Sequence, residues 1–167
     1  GNRKQEAFGG GWCWAEGEEH LVYAPEELLE RYITSVGRNS NLLMGMCISK
    51  RGHFEDAEQF REFGRLVRDL YRDPAATCRG TGTEFELLLE SPEQVRHLVI
   101  MEDIHYGENV RRFTVEILTS EGWEEFFSAR CIGHKRIVPL NREIGGARLK
   151  IEQADDTPVI KEMTIYR

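Results

Sequence analysis

The chain has 167 residues, and its 29 acidic residues outnumber its 22 lysines and arginines, which gives a formal net charge of −7. This length favours one domain or two small ones. A content of 40% hydrophobic and 31% charged residues excludes a disordered polymer and a membrane-embedded protein. The acidic balance argues against nucleic acid as a partner, because non-specific binding needs a basic face. No apolar run reaches the length of a spanning helix, so we expect no membrane partner either.

The amino-terminal residues 1–5 contain no apolar core of a signal peptide. Because the chain begins with glycine instead of methionine, we expect that it was processed or cut from a longer protein.

The helical pattern of the first half begins at Pro25, a residue that suits the first position of a helix. Apolar residues then recur with helical spacing until Gly37, a natural stop. Residues 41–48 are almost continuously apolar, which predicts a strand buried on both faces. A second amphipathic helix is predicted over residues 55–71. Helix, buried strand and helix together indicate a piece of an α/β fold.

The period of the hydrophobic pattern changes to two after residues 73–75, which we take as a domain boundary. We therefore divide the chain into a partial α/β segment, 1–75, and a β-sandwich, 76–167. Many short alternating strands indicate an antiparallel sandwich or jelly roll. The predicted strands are 85–89, 98–101, 113–117, 123–127, 136–140, 149–151 and 159–166.

The four cysteines are widely spaced and form no CxxC pair and no Cys/His zinc pattern. Their even number allows a disulfide in an oxidising compartment, and buried free thiols are the alternative that we favour. These residues are Cys13, Cys47, Cys78 and Cys131.

Two motifs carry a resemblance to a known family. Residues 35–43 read Ser-Val-Gly-Arg-Asn-Ser-Asn-Leu-Leu, and residues 131–136 read Cys-Ile-Gly-His-Lys-Arg. In this order they resemble the late barrel segment and the following sandwich of glycoside hydrolase family 29, the α-L-fucosidases. The resemblance covers about residues 10–167. It implies a mainly β fold: an antiparallel jelly-roll sandwich of the discoidin-like (coagulation factor type C, galactose-binding-like) kind, preceded by the last part of a (β/α)₈ barrel.

The resemblance does not extend to the catalytic residues of the family. A complete barrel takes about 200–250 residues, and only its last quarter is present. Retaining glycosidases need two carboxylates. In the family, the proposed acid/base glutamate precedes a Gly-Trp-aromatic segment, which residues 11–14, Gly-Trp-Cys-Trp, resemble. Glu6 is the only carboxylate upstream of residues 11–14, and it does not match the family spacing. The catalytic residues are therefore unknown, and we expect the chain alone to be inactive.

Two groups of residues are candidates for binding sugar. Aromatic faces can stack on a pyranose while carboxylates accept its hydroxyls. For the first group, the interpretation that we favour is that its indoles pack against the next helix. The first group is Trp12, Trp14, Glu16, Glu19 and His20. The second is a polar loop of the sandwich with His105, Tyr106 and Asn109. It is a candidate because loops at the end of a sandwich often bind ligands.

Two further features have a structural and a functional interpretation. The basic run 133–136 could bind an acidic glycan, but we favour a strand face whose charges meet Glu102 or Asp103. Trp123, followed by two phenylalanines, is interpreted as a core residue.

Three functions remain open from the sequence. The leading one is the C-terminal portion of an α-L-fucosidase-like hydrolase. The resemblance implies a fucosylated glycan as the substrate and a location in the periplasm or outside the cell. The alternatives are a non-catalytic carbohydrate-binding module and a purely structural sandwich. We expect no cofactor, apart from a structural calcium ion that sequence cannot reveal. Left without neighbours, the apolar residues 42–48 and the two helices would favour a homodimer.

Overall fold

The computed structural model describes residues 17, 19–46, 48–54 and 56–167, which form two α-helices followed by six strands. Helix α1 is Pro25–Ser35 and helix α2 is Ala57–Leu70. The strands are β1 Pro74–Thr81, β2 Glu84–Glu102, β3 Val110–Thr119, β4 Gly122–Ala129, β5 Arg136–Ala154 and β6 Val159–Tyr166. None of the described helices is both long and apolar enough to cross a membrane.

Local sequence signals explain both helices. Pro25 is the first residue of α1, and the carboxylate of Glu27 accepts a hydrogen bond of 2.9 Å from the N–H of Ala24, which satisfies one of the free amides at the helix start. Helix α2 buries Phe63 and Leu70 and presents ion pairs on its exposed side. Both helices confirm the prediction to within two residues at each end.

The six strands are antiparallel and follow the order β1-β6-β2-β5-β3-β4. The two 19-residue strands, β2 and β5, each belong to both layers of the sandwich. In the first layer, the start of β2 pairs with the end of β5, which pairs with β3, and β3 pairs with β4. In the second layer, the end of β2 pairs with β6 and with the start of β5, and β6 pairs with β1. One hydrophobic core fills the space that the strands enclose. The mainly β antiparallel fold class is confirmed, and the discoidin-like assignment stays a prediction.

Register shifts explain why the sequence predicted more strands than the structure has. Strand β2 changes register relative to β5 between Leu88 and Glu93, next to Pro92, and the predicted strands on either side are two parts of β2. Likewise, the predicted strands 136–140 and 149–151 both lie in β5. The two long strands lie very close together at Gly146, where an added Cβ would lie 2.5 Å from the carbonyl oxygen of Leu87.

The predicted strand over residues 41–48 is wrong for the residues described. Residues 41–46 are irregular, and Ile48 only forms an isolated bridge with Phe54 across a tight turn. Leu43 is 95% exposed and Met46 is 50% exposed. A strand that is apolar on both faces needs neighbours to pair with, and no described strand lies beside this one.

Helix α1 and the residue after α2 pack on the outer face of the second sandwich layer. Val99, Ile137 and Tyr166 form a buried cluster there, against Tyr32, Ile33, Tyr71 and Met101. The hydroxyls of Tyr32 and Tyr71 are 2.9 Å apart, and the Tyr71 ring meets Tyr166 edge-on. This layer is therefore buried on both faces, which explains the unbroken apolar run at the end of β2.

The apolar residues Phe63 and Val67 of helix α2 face α1 and the irregular segment 41–46. Phe63 packs edge-on against Tyr32 of α1, with ring centres 6.3 Å apart. Val67 lines an apolar groove of about 280 Å³ between the helices and the irregular segment 41–46.

Trp123 is not a core residue, contrary to the prediction. The Arg148 guanidinium lies 4.1 Å from the centre of its ring, and Arg148 also pairs with Glu86 and Glu116 on the outer face of the first layer. Phe126 and Phe127, further along β4, do pack against the core.

Cys78 and Cys131 are free, partly buried thiols, and burial raises the pKa of Cys78. Cys13 and Cys47 lie outside the described residues.

His97 is buried where β2 meets the helices. Its ring stacks on Tyr166 with centres 5.2 Å apart, and its Nε2 has no hydrogen-bond partner among the described residues. Burial, with a contribution from the charge of Arg96, lowers its pKa to about 4 despite a hydrogen bond to the Leu70 backbone. The folded chain therefore holds a neutral imidazole.

We expect this histidine to destabilise the fold at acidic pH. Its folded pKa lies below the unfolded value of about 6.5, so the unfolded chain binds more protons between pH 6.5 and pH 4. The contribution of His97 to the free energy of unfolding should be constant above about pH 6.5 and fall by on the order of 2–3 kcal/mol toward pH 4. His97→Phe keeps an aromatic ring against Tyr166 and should flatten this slope in urea unfolding. Parallel pH profiles for the two proteins would contradict the assignment.

Candidate functional site

The loops at one end of the sandwich converge on the carboxylate of Glu102, the last residue of β2, which is 1% exposed. Its Oε1 accepts the N–H groups of Asn109 at 2.5 Å and Val110 at 3.1 Å. Its Oε2 accepts the N–H of Gly133 at 3.3 Å. One buried carboxylate thus ties the loop 103–109 to the loop 130–135 and satisfies three backbone donors.

The loop 103–109 contains the second group of predicted sugar-binding residues. Asp103 accepts the N–H of His105 at 3.1 Å and begins a 3₁₀ turn, Ile104–Tyr106. The Asn109 main chain is held at both ends, by Glu102 and by a hydrogen bond of 2.9 Å from the Asp155 N–H to the Asn109 carbonyl. His105 is exposed, and the Tyr106 side chain lies outside what the structure describes. The glycan-binding role of this loop stays a prediction.

The turn after helix α1 completes the cluster through Asn39, which adopts a φ of 61°. Its Oδ1 accepts the N–H of His134 at 2.8 Å, and its Nδ2 donates to the Glu108 carboxylate at 2.9 Å. Its own N–H donates to the Lys135 carbonyl at 2.9 Å. A single side chain therefore joins the helical segment to both sandwich loops.

Two glycines allow this close approach. A Cβ at Gly133, which has a φ of 64°, would lie closer than 3.0 Å to the Asn39 side chain. A Cβ at Gly37 would lie 2.9 Å from Ile137, whose N–H donates to the Gly37 carbonyl at 2.8 Å. The two motifs that carry the family resemblance are therefore in contact, and they dock the helices onto the sandwich.

Sequence reasoning missed Asn39 and Glu102 as the centres of this cluster. For Asn39 a signal was present, because asparagine and glycine, which both motifs contain, are the residues typical of positive-φ turns. Glu102 lies in neither motif. What the sequence could not indicate is that the two turns meet, since His134 and Asn39 are 95 positions apart.

The basic run 133–136 does not meet the carboxylates of Glu102 or Asp103, contrary to our preferred interpretation. Lys135 lies 4.7 Å from the centre of the Tyr71 ring and hydrogen-bonds its hydroxyl. Arg136 is 8% exposed and donates to the Cys131 carbonyl at 2.6 Å. Within this run, the backbone N–H of Gly133 is the group that reaches the Glu102 carboxylate. The side chains of Lys135 and Arg136 turn instead toward the sheet and the helices. Tyr71, the partner of Lys135, has a raised pKa because its hydroxyl is buried.

The first predicted sugar subsite is largely untested. Trp12, Trp14 and Glu16 lie outside the described residues. Glu19 begins a 3₁₀ turn, Glu19–Leu21, whose description does not extend to the Glu19 side chain. His20 is exposed, and its Nδ1 lies 3.1 Å from the Gly17 carbonyl oxygen.

No group of three histidine, cysteine, aspartate or glutamate side chains within the described ranges could hold a metal ion. The structural calcium ion stays a prediction.

The geometry defines the chain as an antiparallel β-sandwich with a helical segment docked on one layer through the two motifs. No family model matches the chain. Comparison with individual proteins nevertheless finds relatives. The Oryza sativa subsp. japonica protein named "Putative alpha-L-fucosidase 1" is 24% identical over 93% of this chain and 37% of its own length.

Solved structures agree with that relative. A "putative alpha-L-fucosidase" from Bacteroides thetaiotaomicron is 26% identical with a TM-score of 0.88, over 96% of this chain and 38% of that one. A glycoside hydrolase 29 family member from an unknown rumen bacterium is 26% identical with a TM-score of 0.81, over 93% of this chain and 31% of that one. The chain is therefore similar over nearly its whole length to the C-terminal part of family 29 proteins, as the two motifs predict. It spans well under half of their length.

Proposed function

We propose that this chain is the C-terminal portion of an α-L-fucosidase-like glycoside hydrolase, in which it buttresses the end of a catalytic barrel. The observation that supports this most is the match to the Bacteroides thetaiotaomicron protein, with a TM-score of 0.88 over 96% of this chain. In the complete protein the activity would be retaining hydrolysis of terminal α-L-fucose through two carboxylates. A fucosylated oligosaccharide would be the substrate, in the periplasm or outside the cell.

The electrostatics of the described carboxylates favour a supporting role. A glycosidic general acid needs a raised pKa so that it is protonated when substrate binds. The pKa values of Glu62 and Glu116 are instead lowered, through hydrogen bonds from Arg65 and Lys150 respectively. Both oxygens of the Glu102 carboxylate are occupied by backbone N–H groups of the sandwich loops. These three carboxylates serve structure.

We expect the chain alone to show no hydrolysis of an aryl α-L-fucoside above a buffer blank, because a half-built site neither pairs two carboxylates nor excludes water. Fused in place of the matching C-terminal part of the Bacteroides relative, it should retain the turnover of that protein. The unmodified relative is the reference, and circular dichroism shows whether the fusion is folded.

Two results would overturn the proposal. One is turnover by the chain alone that disappears in Glu16→Gln or Glu19→Gln. The other is a folded fusion protein without turnover, which would separate this sandwich from the catalytic function of its relatives.

A purely structural module is the second candidate, and the loop cluster favours it. Asn39 and Glu102 direct their polar atoms to internal hydrogen bonds, so these atoms are not available to a ligand. The homodimer stays a prediction. The exposed Leu43 and Met46 are the apolar surface that a second copy would cover.

A further inference from the structure

Two arginines, Arg38 and Arg136, lie directly opposite each other where the helical segment joins the sandwich. They form an isolated antiparallel bridge. The N–H of Asn39 donates to the Lys135 carbonyl at 2.9 Å, and the residue after Arg136 donates likewise to the residue before Arg38, at 2.8 Å. These two hydrogen bonds flank the arginine pair, and a pair in that position has its side chains close together on one side of the ladder.

The fold gives this pair of positive charges no direct counterion. Like charges directly opposite each other destabilise an antiparallel pair. Neither guanidinium forms an ion pair with any residue that the structure describes. The carboxylates of the adjoining loops are engaged elsewhere, since Glu102 accepts three backbone N–H groups and Glu108 accepts the Asn39 amide. A negatively charged group from outside the described residues would therefore stabilise this junction.

Arg136 has hydrogen-bonding capacity that the fold does not use. The residue is 8% exposed, and its Nη2 donates to the Cys131 carbonyl at 2.6 Å and lies 3.6 Å from the Cys131 sulfur. Its Nε is buried and has no partner among the described residues. The other terminal nitrogen, Nη1, is open to solvent and makes no hydrogen bond to any of them. Because a guanidinium has five N–H donors, an added acceptor at Nη1 would lower the free energy of this poorly solvated charge.

Arg38 supplies the second half of a site. It is exposed, and its side chain makes no hydrogen bond or ion pair with the part of the chain that the structure describes. Guanidinium groups present planar forks of donors that match the oxygens of carboxylate and phosphate. An anion between the two arginines would replace their mutual repulsion with two attractions.

We propose that Arg38 and Arg136 together bind one oxyanion, a carboxylate or a phosphate group, at the junction between the helical segment and the sandwich. Arg136 is the fixed half of the site, because its Nη2 is held by Cys131, and Arg38 is the half that closes on the anion. This role does not depend on the hydrolytic activity that we propose for the parent protein.

Titration of the full ¹⁵N-labelled chain with sodium phosphate and, separately, with sodium acetate tests the proposal. Sodium chloride keeps the ionic strength constant, so that general screening does not change. The Nε–H signals of Arg38 and Arg136 should move in NMR spectra, with a Kd on the order of 1–10 mM for at least one anion. A response to phosphate alone would identify a phosphate site, and a response to acetate alone would identify a carboxylate site.

Variants at exposed positions separate the site from the overall charge of the chain. Arg38→Gln should weaken anion binding by about tenfold, because one charged fork of donors is lost. Arg38→Lys keeps the charge without the fork and should restore part of the affinity. Arg79→Gln removes an exposed arginine from β1 and should bind the anion as the unchanged chain does. Circular dichroism shows whether each variant is folded.

Three outcomes would overturn the proposal. The first is unchanged Arg38 and Arg136 signals up to about 100 mM of either anion, roughly ten times the weakest expected Kd. The second is equal weakening by Arg38→Gln and Arg79→Gln. The third is a shift of similar size at every exposed arginine, which would mean unspecific association. Aryl fucoside turnover by the fusion protein is a separate measurement, so the two proposals can fail independently.

Discussion

Replacing Glu102 with alanine should lower the free energy of unfolding by about 3–5 kcal/mol. The carboxylate is 1% exposed and accepts three backbone N–H groups, from Asn109, Val110 and Gly133. Without it, three buried donors lose their partner and a cavity remains, and each unsatisfied donor costs about 1–3 kcal/mol unless water enters. Urea unfolding followed by circular dichroism measures the loss.

Two variants separate the hydrogen bonds from the general effect of mutation. Glu102→Gln keeps the shape and the Oε1 acceptor of two of the three donors, so it should cost less, about 1–2 kcal/mol. Glu143→Ala removes an exposed glutamate from β5 and should change stability by less than about 0.5 kcal/mol. If Glu102→Ala destabilised no more than Glu143→Ala, the carboxylate would not hold the loops together.

Elements that depend on local signals could be predicted from the sequence. Helix α1 begins at Pro25 and ends just before Gly37, as its start and stop residues indicate. Strand β6 occupies Val159–Tyr166, the predicted range, and it begins directly after a bend and Pro158. In these cases the residues that determine the element are within a few positions of it.

Elements that depend on distant partners could not be predicted. Residues 41–48 have the composition of a doubly buried strand, but a strand needs pairing neighbours, and Leu43 is instead 95% exposed. Trp123 is a large aromatic residue of the kind that usually lies in a core. In the structure its ring is instead covered by the guanidinium of Arg148, which comes from strand β5. In both cases the residues are apolar, as the pattern requires. Whether they are buried depends on which distant residues lie beside them, and the sequence does not indicate that.

The site followed the same division. The loop 103–109 was predicted as a polar loop at an end of the sandwich, and it lies there. Its connection to Asn39 through Glu108, across 69 positions, has no signature in sequence spacing. The interpretation of residues 133–136 was wrong for the same reason. Lys135 hydrogen-bonds the Tyr71 hydroxyl and Arg136 hydrogen-bonds the Cys131 carbonyl, whereas we had expected the carboxylates of Glu102 or Asp103 as partners.

Replacing Gly133 with alanine should lower the free energy of unfolding by about 2–4 kcal/mol. A side chain there is strained by the φ of 64°, and its Cβ would overlap the Asn39 amide. Asn39 would have to leave, with loss of its hydrogen bonds to the His134 N–H and to Glu108. Unfolding in urea gives the total effect, and Gly52→Ala supplies the strain alone, because Gly52 has a φ of 80° with nothing within 4 Å of its Cβ position.

A double-mutant cycle assigns the remainder to the contact with Asn39. Asn39→Gly removes the amide but tolerates the φ of 61° at that position. If the overlap is the cause, adding Gly133→Ala to Asn39→Gly should cost only about as much as Gly52→Ala does, so the two substitutions would be coupled by about 1–3 kcal/mol. Strict additivity would mean that Gly133 is required only for its backbone conformation. The junction between the two motifs would then depend on its hydrogen bonds and not on close packing.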